Sequence, residues 1–291
     1  MAMWIRKPRV AGLFYPSRAS EIRSLVEAWQ RESSPTVGLS LVGGVVPHAG
    51  WVYSGSTAMR LYAALAAGRP VETVLLYGAV HTPGVYAAAV YPQGAWRTPL
   101  GDVPVDEDLA QALIACDERF AGDADAHADE HALEVQLPLL QIVAPQAAIL
   151  PVAMPAHADG QRLGDLVGAV VRELGREVWV VASSDLTHYG PRYGLAPAGV
   201  GAPALAWMEQ NDHRLLSRIE AMDAAGAQAE ALAHRNACGP AAIAAAIATA
   251  QALGATRGEV LAYTTSHALT PGARADNIVG YAAVGFCAER S

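Results

Sequence analysis

Cysteine is scarce in this 291-residue chain, which has only Cys116, Cys238 and Cys287. An odd count with no regular spacing excludes a disulfide framework and points to a reducing compartment. Positive charge is also short: 20 Lys and Arg face 28 Asp and Glu, giving a net charge of −8 and a sequence pI near 5.6. That balance argues against a general nucleic-acid surface, which needs a basic stripe. Long apolar runs are missing too. The most apolar window, 237–255, is interrupted by Pro240, Thr249 and Gln251, so no membrane span is expected. The N-terminal MAMWIRKPRV has basic residues without the apolar stretch of a signal peptide. A cytoplasmic protein is the expectation.

Familiar nucleotide and hydrolase motifs are absent. No G-x-G-x-x-G or Walker-A sequence follows a strand, and Ser54 in YSGS lacks a G-x-S-x-G context. Nucleotide binding and serine hydrolysis therefore have no sequence support.

The chain is 52% hydrophobic and 16% charged, which favours a packed core over disorder. Alanine is abundant and evenly spread, and reads as a base-composition bias. Strands are expected near 41–46, 73–78, 86–91, 147–152, 177–182, 258–264 and 279–287. Helices are expected near 19–31, 55–67, 106–116, 131–141, 160–174, 203–219 and 239–252. TVLLYG and VWVVAS are almost continuously apolar, as when both faces of a sheet are covered. The alternation predicts an α/β protein, a three-layer α/β/α sandwich on a mixed, largely parallel sheet. No internal repeat or linker divides it; one domain over 1–291 is expected, with surface loops at 191–203 and 270–275.

Three strands end in the same way. VVPHAG presents His48, VLLYGAVHTPG presents His81, and VWVVASSDLTHYG presents His188, each near glycine or proline. In open α/β sheets the ligand crevice lies beyond the carboxyl ends of the strands. Parallel neighbouring strands would bring these imidazoles to one edge, where they could ligate iron, copper or zinc or act as acid/base groups. A single histidine in such a place is otherwise an ordinary loop residue.

Cys238, in NACGPAAIAAAIATA, precedes Pro240, which suits the first turn of a helix. There the positive end of the helix dipole favours thiolate; the plain alternative is a small buried hydrophobe. Cys116 and Cys287 fall in helix and strand patterns and are assigned to packing. Asp185 stands three residues before His188 and could orient it as an acid/base pair, or Ser183, Ser184 and Asp185 could merely cap the next turn. HADEH, 127–131, fits the inverted zinc-peptidase pattern H-x-x-E-H. Its acidic, loop-like context makes His127 look solvated, while His131 opens a helix that carries Glu134 on the same face.

These pieces together resemble the Memo family, known in prokaryotes as AmmeMemoRadiSam system protein B. The resemblance runs almost end to end through RVAGLFYP, PHAGWVYSG, WRTPLGDVPVD, EHALEVQLP, SSDLTHYG, ACGPAAI and DNIVGYAAVGF. It implies a fold similar to class III extradiol ring-cleavage dioxygenases, which bind non-haem Fe(II). It further implies metal ligation by His48, His81 and Cys238, with His188 and Asp185 as the catalytic pair. His131 and Tyr53 would bind substrate. Where the ring-cleaving relatives use a carboxylate, a thiolate would stand, opening preference towards copper or zinc as well as iron. Val80 departs from the small polar residue that family members often carry before the second histidine, which puts hydrogen-bonded support of His81 in doubt.

The expected function is therefore a non-haem iron, dioxygenase-like oxidoreductase acting on a small molecule. A non-catalytic peptide- or ligand-binding protein and an iron- or copper-binding store are the alternatives. The resemblance also implies pathway partners of radical-SAM and AMMECR type.

Overall fold

The computed structural model describes residues 4–33, 39–68, 70–270, 272 and 274–289. Its chain order begins with Ile5–Arg6 (β1), Ala19–Glu32 (α1), Ser40–Val46 (β2), Trp51–Ala66 (α2) and Thr73–Ala79 (β3). Ala88–Val90 (β4), Ala95–Thr98 (β5), Gly101–Pro104 (β6), Glu107–Cys116 (α3) and Phe120–Gly122 (β7) follow. Next come Leu137–Val143 (α4), Ala148–Met154 (β8), Gly160–Glu173 (α5), Val178–Ser183 (β9) and His188–Tyr189 (β10). Ala202–Glu220 (α6), Ala224–His234 (α7), Pro240–Ala252 (α8), Ala255–Thr265 (β11) and Ile278–Ala288 (β12) complete it.

Nine strands form the main sheet in the order β10-β12-β2-β9-β3-β8-β4-β7, with β11 also pairing β12. The centre, β2, β9, β3 and β8, is parallel, while β10, β11, β12 and the β4–β8 pairing are antiparallel. The mixed three-layer α/β/α sandwich is thus as expected. Alternation along β3 shows why: Leu75 and Tyr77 enter the core under α3, α5 and α8. Val74 and Leu76 enter the core under α1, α2 and α4. A strand buried on both faces has no polar face to display.

The seven expected strands all exist, but β1, β5, β6, β7 and β10, with two to four residues each, carry too little periodicity to read. Helix α7 was not expected either. The helix expected over 131–141 is shorter: a 3₁₀ turn spans Glu134–Gln136 and α4 starts at Leu137. Pro138 in its first turn limits the helix, because a proline ring collides with the carbonyl four residues back. The 270–275 loop falls partly outside the described residues.

Helices α5 and α8 approach unusually closely. Gly160, Gly164 and Gly168 of α5 face the alanines of α8; a Cβ on Gly164 would lie 2.3 Å from the Ala245 carbonyl oxygen. Alanine in α8 is therefore a packing requirement as well as a compositional bias.

Candidate metal centre

Strands β2, β9 and β3 are consecutive parallel neighbours, so their carboxyl ends open on one edge. His48 follows β2 on the turn into α2. The carbonyl of Pro47 accepts a hydrogen bond from Gln136 Nε2 at 2.9 Å, and the N–H groups of His48 and Ala49 donate to Asp185 Oδ1 at 2.7 and 3.2 Å. His81 follows β3 by two residues. His131 arrives from the segment before α4, with Phe14 packed at 4.7 Å against its ring.

The ligating nitrogens of His48, His81 and His131 all lie within 4.8 Å of one another, close enough to hold a single metal ion. The Sγ of Cys238 is 3.2 Å from His48 Nε2 and accepts the N–H of Asp185 at 3.3 Å. The thiolate and imidazole donor set suits a borderline or soft transition metal.

Hydrogen bonds settle which nitrogens face this point. Gln136 Oε1 accepts from the Tyr62 hydroxyl, so its Nε2 is the donor to Ser183 Oγ at 2.9 Å. Ser183 gives its one hydrogen to the Ala132 carbonyl at 2.6 Å. Its 3.2 Å contact with His48 Nδ1 must then be a donation from Nδ1–H. Nε2 of His48 is left to face the cluster. At His81 the backbone N–H and Nδ1 both reach Glu130, at 2.5 and 2.9 Å, so Nδ1–H donates there and Nε2 faces inward as well. The same carboxylate accepts the N–H groups of His131 and Ala132 at 2.9 and 3.0 Å.

The electrostatics follow from this packing. Burial would lower the pKa of His48, but the Cys238 thiolate and then Asp185 lift it to about 9. Burial also opposes charge on His81, yet hydrogen bonds to Cys238 and Glu130 raise it to about 10. Burial works against the Cys238 thiolate too, and the charge of His48 with hydrogen bonds from both imidazoles brings its pKa well below the usual thiol value. Glu130 is held down at about 2: His81 outweighs its burial. His131 is driven down to about 4 by burial and by the positive His48 and His81, leaving its imidazole neutral. The metal-free centre is thus two imidazolium groups balanced by a thiolate and carboxylates, and a cation entering it would displace protons.

Several expectations need correction. The third imidazole of the cluster is His131, placed among substrate-binding residues by the sequence, and not His188. After β9 the chain turns through Ser184–Thr187, and His188 pairs with Val279 of β12 as part of β10. His188 consequently lines an adjoining cavity with Cys238. Its Nδ1 bonds to the Leu186 carbonyl at 3.2 Å and its ring packs edge-on against Tyr193. Asp185 does not orient His188 through a hydrogen bond; its carboxylate instead anchors the His48 turn. Burial raises its pKa. Tyr53, at the start of α2, is exposed.

His127 is fully buried, not solvated. It packs between Tyr91 and Trp96, its Nε2 donates to the Ala89 carbonyl at 2.9 Å, and burial brings its pKa down to about 4. The two histidines of HADEH therefore occupy different environments. Glu134 turns from His131 to the N-terminal segment, accepting Arg6, Tyr15 and the N–H groups of Arg9 and Val10. Cys287 is buried, but Cys116 is exposed at the end of α3. Val80 packs against Ala89, Ala126 and Ala153. The support it cannot give His81 comes from Glu130.

Glu130, Ser183 and Gln136 were the functional neighbours that sequence reasoning missed. Glu130 is 49 residues from His81 and Ser183 is 135 from His48, while Gln136 acts 89 residues away on the Pro47 carbonyl beside His48; only Glu130 also stands next to a histidine in sequence, His131. That adjacency in EH was the one visible signal. Arg6 completes the scaffold: stacked over Trp96 at 4.1 Å, it donates to the carbonyls of His127 and Glu130 and fixes the segment between them.

The Memo-like protein family model matches residues 6–285. The chain belongs to the Memo family. It is 36% identical to a MEMO1 family protein of Methanopyrus kandleri, covering 97% of this chain and 98% of that protein. A MEMO1 family protein of Pyrococcus abyssi is also 36% identical, over 96% of this chain and 98% of its own length. A third, from Thermococcus onnurineus, is 35% identical over 97% and 99%. Among the described residues no helix is long and apolar enough to cross a membrane.

Proposed function

We propose that this Memo protein is a non-haem metal oxidoreductase of dioxygenase-like type that acts on a small molecule. The observation that carries the proposal is the carboxylate–histidine pair of Glu130 and His81 beside a second histidine of fixed tautomer. Both imidazoles have Nδ1–H occupied by an acceptor and Nε2 turned to a common point. Such outer hydrogen bonds orient metal ligands and raise their basicity. Fe(II) would be held by His48, His81 and Cys238, with His131 alongside as a neutral donor. The metal would polarise bound substrate and let electrons pass to oxygen. The protein's own contribution is to hold the donors. Asp185 and Gln136 fix the His48 turn, Glu130 fixes His81 and His131, and Ser184 donates to the Asp185 carbonyl beside Cys238. His188, with Nδ1 engaged on a carbonyl, keeps Nε2 for proton transfer at the edge of the cavity.

Elemental analysis of protein purified anaerobically without added metal tests the ligand set. Oxygen uptake by Fe(II)-loaded protein with catechol-type substrates tests the chemistry. Iron content with substrate-dependent uptake is expected; full metal loading without any turnover overturns the oxidoreductase reading.

The contact between the Cys238 sulfur and His48 supports a second reading, a copper- or iron-binding protein without oxygen chemistry. It predicts tight stoichiometric metal binding and rapid exchange in the same experiment.

A further inference from the structure

Beside Cys238, on the side where His188 lies, the surface opens into a cavity of about 260 Å³. Ala156, Ala231 and Leu232 supply apolar wall, while Cys238, His188 and Arg235 supply the polar groups. This volume is just below the range of about 300–1,000 Å³ typical of drug-sized ligands, so it suits a small molecule.

Arg235 is held there by unusual means. It ends α7 in the left-handed region, at φ 54°, a conformation that a non-glycine residue adopts at a cost. Its two terminal nitrogens donate to the carbonyls of Tyr193 and Gly194 at 2.8 and 3.0 Å. Tyr193 in turn packs edge-on against His188, with ring centroids 5.0 Å apart. The guanidinium is thereby fixed in the same unit as the histidine of the cavity. Two of its five N–H donors are engaged on carbonyls, and no carboxylate pairs with it among the described residues. A fixed guanidinium with open donors is matched by a planar carboxylate, which it can bind with two parallel hydrogen bonds. The cavity lining holds no lysine and no second arginine, so Arg235 is its one permanently charged cation, and the Cys238 thiolate in the same lining favours a carboxylate at the arginine end over one beside the sulfur.

We propose that this cavity binds a small monocarboxylate with an apolar body. The carboxylate lies on Arg235, the body on Ala156, Ala231 and Leu232, and the far end is directed towards Cys238 and His188. The inference rests on the metal-centre reading only in naming that molecule as the substrate class; binding itself does not require the metal.

The test is calorimetric titration of the full chain, freed of metal by a chelator, with benzoate, butanoate and the neutral isostere benzamide. At least one carboxylate is expected to bind, benzoate at least tenfold more tightly than benzamide. Arg235→Gln should bring benzoate down to the benzamide level, and Arg235→Lys should retain part of the difference. Arg235→Asn, whose side chain tolerates the left-handed backbone, provides a second neutral variant in case the first folds poorly. Equal binding of benzoate and benzamide, unchanged benzoate binding in both neutral variants, or no binding of either carboxylate overturns the proposal. Arginine-dependent carboxylate binding by a protein that takes up no metal would sink the oxidoreductase reading and leave the cavity assignment standing.

Discussion

Glu130 grips His81 twice, through the backbone N–H at 2.5 Å and through Nδ1 at 2.9 Å, although 49 residues separate them. The same carboxylate accepts the N–H groups of His131 and Ala132 and lies 3.4 Å from the Nδ1 of His131. One buried carboxylate therefore sets the positions of two of the three clustered imidazoles.

Replacing Glu130 by Gln preserves the shape and removes the charge that holds the Nδ1–H of His81. Loss of such a partner typically costs 10–100-fold in metal affinity. Glu130→Gln is expected to weaken binding by that factor, read by competition against a chelator of known affinity. Wild-type affinity in the variant would show that the pair is structural only.

Ser183 is the acceptor that fixes the tautomer of His48. Ser183→Ala leaves the His48 Nδ1–H, a Gln136 amide hydrogen and the Ala132 carbonyl without their buried partner. Each unsatisfied buried group costs about 1–3 kcal/mol, with water entry offsetting part of the sum. The urea midpoint should fall by an amount equivalent to about 2 kcal/mol. In nitrogen-15 spectra recorded above about pH 9, where the metal-free His48 imidazole is neutral, it should change from a single Nδ1–H form to a mixture of tautomers. An unchanged spectrum would count against the hydrogen-bond assignment.

How much of this was legible in the sequence depends on the range of the physics involved. β3 and β9 announced themselves because burial on both faces demands unbroken apolar runs. The three histidines at strand ends were visible as a shared local pattern. The sequence could not show that His188 leaves the cluster to pair, with Tyr189, along β12, since strand pairing across 91 residues sets that path. His127 looked solvated because its neighbours are acidic. Its burial comes from Tyr91, Trp96 and Arg6, distant in sequence and each part of a short strand or next to one. The role of Glu130 was hidden for the same reason: one carboxylate beside a histidine is common, and only the tertiary contact with His81 makes it a ligand support.

Asp212 makes stability depend on pH. It is fully buried, accepts the Thr187 N–H at 2.9 Å and the Tyr263 hydroxyl at 2.9 Å, and burial raises its pKa to about 7. A folded-state value above the unfolded one means that the fold favours the protonated form. Its contribution is complete below about pH 4 and is lost as pH rises from there through about 7. Asp212→Asn retains an acceptor for Thr187 and places an amide against Tyr263. Relative to wild type, the variant should gain stability between pH 5 and 8, on the order of 1–3 kcal/mol. Urea midpoints across that range check it; parallel curves for the two proteins would refute the assignment.

Gly164 provides a test whose sign is diagnostic. At an exposed helix position Gly→Ala stabilises by about 1 kcal/mol, because alanine has less backbone freedom to lose. Here the added carbon would lie 2.3 Å from the Ala245 carbonyl oxygen and 2.8 Å from the Ala248 Cβ. Both belong to α8 and neither can rotate away, so the two helices would have to separate. Overpacking of this kind costs about 1–3 kcal/mol and outweighs the gain in propensity. Because α8 begins two residues after Cys238, the displacement should also move the thiolate relative to His48. Gly164→Ala is therefore expected to lower both the urea midpoint and metal affinity. A raised midpoint would mean that α5 and α8 part without cost, and that their close packing does not hold Cys238 in place.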